Sequence, residues 1–450
     1  MRLKFWGTRG SIATPGPSTI HYGGNTSCLE LVTSSGQRVI FDCGTGGRLL
    51  GLDLMAHAPK PISALLLFGH MHWDHIQGFP FFAPAFVPGN HITVCGPEGC
   101  NSSLPQALAG QMQYTYFPVE LGQLGAAITY IKLTEGSYEI EGVRISAQFL
   151  NHPTVALGYK IEADNVTMCY LCDHEQYSTT LWRAGAEPGK IDSILHANDR
   201  QHALFMKGAD VVVHDAQYTP EEYPAKKNWG HSTYDYVAQI AEAAGVHKLY
   251  LTHHDPLHDD AFIENIERKS REIVKQMGSK MEVVCAYEGC EETLKARGKP
   301  RTWSVAAVAG APAEAPWIEA CGLNVLVVDD DEDLRMLAGR VLTQSGHVVT
   351  HAPGGAEALK MIEQNPPDLI VLDLNMPQPD GIEVLRTLRS VPKTASLPVI
   401  ILTAEGDETT TRLSFELGAT DFLNKPFSPP QLDARVRASF ARALGGSTQH

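Results

Sequence analysis

Six consecutive residues, His70-Met71-His72-Trp73-Asp74-His75, follow directly on an apolar run at residues 64–68. In extended chain the side chains repeat with period two, so His70 and His72 point the same way. Asp74 and His75 come in the turn beyond and can face a second centre. Imidazole and carboxylate are ligands suited to zinc and its neighbours. The stretch predicts a strand end that carries part of a two-metal hydrolytic site. The rest of the first two-thirds of the chain must supply the remaining ligands.

The same arrangement recurs downstream. Apolar segments at 143–149, 166–171, 211–213 and 249–251 run into Asn151-His152-Pro153, Asp173, His214-Asp215 and Thr252-His253-His254-Asp255. Each polar cluster sits at the C-terminal end of a strand, as expected if one sheet edge forms the site. Further strands are predicted at 1–5, 28–33, 38–41, 91–95, 128–133 and 157–163. Gly230-His231-Ser232-Thr233 opens an amphipathic helix reaching Ala244, with Ser232 or Thr233 as N-cap. Residues 7–27 form a glycine- and hydroxyl-rich loop of the kind that can cradle an anion. Within it Ser11, Asn25 and Thr26 are candidate contacts to phosphate or base. Asp42-Cys43-Gly44 ends another strand, where glycines permit a sharp turn into a helix.

A chain of 450 residues implies two or three domains. The net charge of -15 argues against a general nucleic-acid binder, and no DNA partner is expected. The first residues have no apolar signal core and no apolar run is long enough to cross a bilayer, so the chain reads as a soluble, cytoplasmic protein. Nine scattered cysteines fit reduced thiols better than a disulfide framework. Cys169 and Cys172 fall in or beside a strand-like run and read as small core residues.

On these motifs residues 1–295 resemble the metallo-β-lactamase superfamily, a four-layer αββα sandwich. The resemblance implies that His70, His72 and His152 hold one metal, that Asp74, His75 and His253 hold the other, and that Asp173 bridges both. His254 is a competing candidate for the place of His253. Zinc is the leading ion, with manganese or iron as alternatives. Gly230-His231-Ser232-Thr233 and Asp42-Cys43-Gly44 are similar to the phosphodiesterase branch, which includes tRNase Z and cyclic-phosphate hydrolases. There the histidine of Gly-His-Ser-Thr assists proton transfer, which implies that role for His231, with Asp215 orienting it and Asp74 contributing at the metals. The H-x-H-x-D-H stretch also resembles class II cyclic-nucleotide phosphodiesterases, with Trp73 in place of their leucine. In tRNase Z an insertion with a tRNA-clamping arm separates the third histidine from the bridging aspartate. Only a short two-strand segment lies between His152 and Asp173 here, which argues against tRNA. Flavodiiron-type members have glutamate where this chain has His72, which argues against dioxygen chemistry.

A second pattern follows an Ala-, Pro- and Gly-rich linker, taken as residues 296–321. Val325-Leu326-Val327-Val328 ends in Asp329-Asp330, and residues 369–372 end in Asp373-Leu374-Asn375. Residues 399–402 end in Thr403, and a fourth short strand reaches Asn424-Lys425-Pro426. Helical segments alternate with these strands, which predicts a doubly wound parallel sheet with its site at the strand C-termini. Residues 322–442, followed by a tail at 443–450, resemble the flavodoxin-like receiver domain of response regulators. The resemblance implies Asp373 as phosphoacceptor and Asp329, Asp330 and the Asn375 carbonyl as Mg²⁺ ligands. It further implies Thr403 and Lys425 as phosphoryl contacts, Phe422 as the aromatic switch, and a histidine kinase or phosphotransfer protein as partner.

The reading that follows is an α/β two-domain, two-metal hydrolase of phosphodiester bonds, foremost cyclic nucleotides or related small diesters, regulated by phosphorylation. With no further patterned segment after the receiver, the hydrolase is the expected output. The alternatives are a lactonase, a tRNase Z-like nuclease, or a non-catalytic nucleotide-binding scaffold. Self-association as a homodimer is left open.

Overall fold

The computed structural model describes residues 1–97, 103–296 and 322–404, together with 413–414, 417–425, 427, 431–433, 435–437 and 439–440. The expected linker beyond residue 296 and the tail at 443–450 lie outside them. Two compact units divide at residues 312 and 313.

The first unit contains β1 (Arg2–Gly7), β2 (Cys28–Val32), β3 (Arg38–Phe41), α1 (Gly46–His57), β4 (Ser63–Leu67), the single turn α2 (Trp73–Ile76), β5 (His91–Gly96) and α3 (Leu104–Gln111). There follow β6 (Ala127–Lys132), β7 (Gly136–Ile140), β8 (Val143–Phe149), β9 (Leu157–Ala163), β10 (Val166–Leu171), α4 (Ala197–Phe205) and β11 (Val211–Asp215). The unit ends with α5 (Tyr234–Ala243), β12 (Lys248–Thr252), α6 (Asp260–Gln276), β13 (Glu282–Cys285) and β14 (Glu291–Thr293).

The strands form two seven-stranded sheets, ordered β14-β1-β2-β3-β4-β5-β6 and β13-β12-β11-β10-β9-β8-β7. Each is antiparallel in one half and parallel in the other: β3 to β6 run parallel in the first, β10 to β13 in the second. The sheets face each other through rings. Phe5 meets Tyr250 at 5.0 Å, and Phe41 meets Tyr170 at 4.9 Å. The Tyr159 hydroxyl donates across the gap to the Phe68 carbonyl at 2.6 Å. On the outer face of the first sheet, Ile40, Ala64, Leu66 and Val94 pack with Leu50 and Leu54 of α1 and Leu104 and Leu108 of α3. On that of the second, Cys169, Leu171, Val212 and Leu249 pack with α4, α5 and α6. The order is therefore αββα. Strands β10 and β11 are buried along their whole length, which is why they read as unbroken apolar runs rather than alternations. Helix α6 buries Ile263, Ile266, Ser270 and Val274, a spacing that puts one stripe on the sheet.

The second unit has β15 (Asn324–Val328), α7 (Glu332–Gln344), β16 (Val348–Ala352), α8 (Gly355–Gln364), β17 (Leu369–Asp373), α9 (Gly381–Ser390), β18 (Val399–Ala404) and β19 (Asp421–Lys425). All its strand pairs are parallel, in the order β16-β15-β17-β18-β19. This is the flavodoxin-like 2-1-3-4-5 order. Alternate residues of β15 feed the two faces: Leu326 and Val328 pack with α8 and α9, while Val325 and Val327 pack with α7. Among the described residues no helix is long and apolar enough to cross a membrane.

Candidate metal centre

The polar clusters of the first unit meet where strand C-termini of both sheets come together. Asp42 follows β3 and His70 to His75 follow β4 in one sheet; His152, Asp173 and His253 follow β8, β10 and β12 in the other. Strand β4 stops at Leu67, three residues short of His70. The Phe68 N–H still reaches the Cys95 carbonyl at 2.8 Å, but the Gly69 N–H turns to Asp42 Oδ1 at 2.8 Å and ends the ladder. Ser11, Asp42, Asp173 and His253 have left-handed backbone, with φ of 62°, 56°, 65° and 62°. That conformation costs an L residue roughly 1–2 kcal/mol, and such strain concentrates at functional sites.

Two ligand groups result. One ligand atom each from His70, His72, His152 and Asp173 lies within 4.8 Å of the others, and so do those of Asp74, His75 and His253. Asp173 faces both. Its Oδ2 is 3.5 Å from His70 Nε2 and 3.7 Å from His152 Nε2, while its Oδ1 is 3.3 Å from His75 Nε2 and 3.2 Å from His253 Nε2. Asp74 Oδ2 stands 3.1 Å from His253 Nε2 and 3.3 Å from His75 Nε2. Both His70 nitrogens, His75 Nε2 and Asp173 Oδ1 are buried without a hydrogen-bond partner. Buried polar atoms left unpaired are costly, and converging imidazole nitrogens around a shared carboxylate fit divalent cations.

The far nitrogens are held from behind. His75 Nδ1 pairs with Asp42 Oδ2 at 2.8 Å, and Asp42 also accepts the Tyr170 hydroxyl at 2.6 Å. His253 Nδ1 pairs with Gln217 Oε1 at 2.9 Å, and His152 Nδ1 donates to the Gly230 carbonyl at 3.0 Å. Such partners fix the tautomer that turns Nε2 to a metal. A Cβ on Gly230, whose φ is 88°, would lie 2.2 Å from His152 Nδ1, so only glycine serves there. The buried Glu175 clamps the same loop. Its Oε1 accepts the Tyr223 hydroxyl at 2.7 Å and the Asn228 N–H at 2.8 Å, and its Oε2 accepts the Gly230 N–H at 2.8 Å. Asp42, Glu175 and Gln217 were not singled out from sequence for these contacts; the only signal was Asp42 in its strand-end motif.

His231 follows Gly230 and lies 3.5 Å from Asp215 Oδ2 and 4.0 Å from Asp173 Oδ2 through Nδ1. Asp215 is fixed in turn by the backbone N–H groups of His174 and Ser232, each at 3.0 Å. Burial alone would lower the His231 pKa; Asp173 and Asp215 outweigh it and raise it. Burial pushes His152 down to about 3, which keeps it neutral, the form that binds a metal. A pocket of about 540 Å³ opens over the centre, lined by Ser11, Met71, His72, Trp73, Asp74, Asp173 and His231.

Of the three candidate phosphate contacts, only Ser11 lines this pocket. Its backbone N–H donates to Asp74 Oδ2 at 2.8 Å. Asn25 is bound to Glu288 through Nδ2 at 2.9 Å, and Thr26 Oγ1 accepts the Thr45 N–H at 2.9 Å, so both tie the loop internally. His254 turns away from the ligand groups: its Nε2 meets the Ala286 carbonyl at 2.8 Å. Cys169 and Cys172 are buried free thiols, and Cys172 Sγ lies beside Asp173 and His253.

In the second unit Asp329 and Asp330 after β15 and Asp373 at the end of β17 bring carboxylate oxygens within 4.8 Å of one another. Lys425 Nζ lies 2.7 Å from Asp329 Oδ2 and 3.2 Å from Asp373 Oδ1. Burial raises the Asp373 pKa, Lys425 opposes this, and the Asn375 N–H also donates to Asp373. Thr403 is buried near the end of β18, and Phe422 is half-buried against the core.

Fold and clusters together define a metallo-β-lactamase-fold unit followed by a receiver. Residues 37–254 match the family described as a beta-lactamase superfamily domain, and residues 325–437 match the response regulator receiver domain. The two matched segments are thus a beta-lactamase superfamily domain and a response regulator receiver domain. The alkaline phosphatase synthesis transcriptional regulatory protein PhoP of Bacillus subtilis is 45% identical over 120 residues, which are 27% of this chain and 49% of that protein. The chain spans about half the length of the curated relatives it matches. Among solved structures, the metallo-beta-lactamase fold protein YhfI of Bacillus subtilis is 17% identical, covering 65% of this chain and 99% of that one at a TM-score of 0.45. The short form of human tRNase Z is 19% identical, covering 65% of this chain and 99% of that one at a TM-score of 0.42.

Proposed function

We propose that this chain hydrolyses small phosphodiesters, cyclic nucleotides foremost, and that phosphorylation of Asp373 controls the rate. The observation that carries the reading is the Asp173 carboxylate, which presents one oxygen to each of two histidine groups. Divalent ions held by His70, His72 and His152 and by Asp74, His75 and His253, with Asp173 between, would supply activated water near neutral pH and neutralise phosphoryl oxygens. The protein's own residues do the rest. Asp215, 3.5 Å from His231 Nδ1, orients the imidazole that would give a proton to the leaving ester oxygen, the general-acid role. Ser11 holds Asp74 in place through its backbone N–H. In the receiver, charge added at Asp373 draws in Thr403 and Lys425 and repacks Phe422.

The test is the zinc- or manganese-loaded full chain incubated with cyclic nucleotides, bis(4-nitrophenyl) phosphate, a lactone and a tRNA precursor. Diester hydrolysis that tracks about two bound ions per chain supports the reading. Turnover of the lactone or the tRNA precursor alone overturns it. Beryllofluoride should change the diester rate in wild type and leave Asp373→Ala unaltered; equal responses refute control through Asp373.

A further inference from the structure

Trp73 differs from the other aromatic side chains around the centre. It opens the single turn α2, whose next three residues, Asp74, His75 and Ile76, are buried. Its own side chain is 77% exposed, although tryptophan is highly buried on average. Its indole lies on the pocket wall, and among the described residues no ring or ammonium group covers it. Trp229, two residues before His231 and also exposed, already carries Lys226 Nζ 4.3 Å above its ring.

The lining divides by chemistry. Ser11, His72, Asp74, Asp173 and His231 are polar and gather about the metal ligands, while Met71 and Trp73 supply the apolar wall. None of the described lining residues is Lys or Arg. Bound cations can compensate the charge of the reacting phosphate; a second phosphate would find no cationic side chain on this lining. An uncovered indole beside a polar floor is complementary to a molecule with one charged end and one flat apolar end. Removing both flat faces from water is favourable and needs no particular hydrogen-bond pattern.

We propose that Trp73 is the specificity-determining residue of the centre: its indole stacks on a planar ring borne by a singly charged phosphodiester, so aryl or nucleobase diesters are selected over alkyl diesters and over compounds with further phosphates. The proposal rests on the phosphodiesterase reading above and extends it to substrate class.

The experiment uses the metal-loaded full chain, with bis(4-nitrophenyl) phosphate as reporter and diphenyl phosphate and diethyl phosphate as competing inhibitors. Wild type should bind diphenyl phosphate more tightly. That preference, the ratio of the two inhibition constants, should fall about tenfold or more in Trp73→Ala and stay within about threefold of wild type in Trp73→Phe, which keeps a ring to stack on. Metal content and thermal unfolding of both variants are measured alongside, because an exposed side chain can be removed without loss of either. A preference retained in full by Trp73→Ala overturns the role of Trp73 and leaves the phosphodiesterase reading standing. A wild type that hydrolyses no diester removes that reading and this inference together.

Discussion

Glu175→Gln isolates the clamp that holds the loop before His231. The amide keeps one oxygen, so the Tyr223 hydroxyl and the Asn228 N–H retain their acceptor at the Oε1 position. The other position becomes an NH₂ group that faces the Gly230 N–H, donor against donor. One buried bond to a charged acceptor, worth about 1.5–3 kcal/mol, is lost. Gly230 carries the consequence to two groups at once: its carbonyl orients His152, and its next residue is His231. At about 1.4 kcal/mol per factor of ten, the loss corresponds to a fall in kcat of roughly ten- to a hundredfold, in line with other residues that support metal ligands. The assay is hydrolysis of a cyclic nucleotide, whose poor alkoxide leaving group depends on His231, at fixed pH, with metal content and thermal unfolding measured on the same preparations. Metal affinity should fall with kcat, because His152 loses its fixed orientation. A folded Glu175→Gln protein with wild-type kcat and full metal content would show that the loop is held by its other contacts, and the argument from the clamp would be wrong.

Two other perturbations read different parts of the same unit. His231→Ala should lower turnover of alkyl-leaving diesters by roughly 10²–10⁴, with metal content unchanged and 4-nitrophenyl leaving groups much less affected; equal losses on both would make His231 structural. Asp199 is fully buried, and burial pushes its carboxyl up to about 7 against bonds from the Tyr236 hydroxyl and the Tyr177 N–H. An aspartate in the unfolded chain titrates near about 3.9. The native state therefore binds this proton more tightly, so its contribution to stability is full below about pH 4 and is lost as pH rises through about 7. Urea unfolding followed from about pH 5 to 7.5 should show a decline in wild type that is flattened in Asp199→Asn; parallel pH profiles would refute the assignment.

The parts of the fold that sequence revealed are those where one physical signal dominates. Strands β10 and β11 are buried on both faces, so their apolar runs stand out, and a buried carboxylate follows each run: Asp173 two residues after β10 and Asp215 at the end of β11. The grouping of His70, His72, Asp74, His75, His152, Asp173 and His253 followed instead from the resemblance to the metallo-β-lactamase superfamily, because strand ends alone do not say which polar residues meet. Strand β7, Gly-Ser-Tyr-Glu-Ile, escaped notice because it lies at a sheet edge, largely exposed, with little apolar alternation. Strand β14 is three residues long and is defined by pairing with β1 from the other end of the unit, which no local pattern encodes. The supporting contacts were hidden more deeply. Glu175 and Gln217 act through a Gly230 N–H and a His253 nitrogen that are remote in sequence. Asn25 and Thr26 looked like ligand contacts because their composition suits an anion loop, yet the same side chains serve to tie the loop to Glu288, Thr45 and Gln77. Sequence composition does not separate a hydroxyl that waits for a ligand from one already bonded within the protein.

The order in which the ligands appear along the chain has a consequence for biosynthesis. His70, His72, Asp74 and His75 leave the ribosome almost together, whereas His152, Asp173 and His253 come far later. At about 5–20 residues per second, the nascent chain carries an incomplete imidazole–carboxylate cluster for roughly ten seconds or more. Closure then awaits parallel pairing of β10, β11 and β12, whose partners are distant in sequence and slow to meet. Under the two-metal reading proposed above, an ion would first meet a short peptide, which follows the intrinsic affinity order of the ions, and only later the completed site.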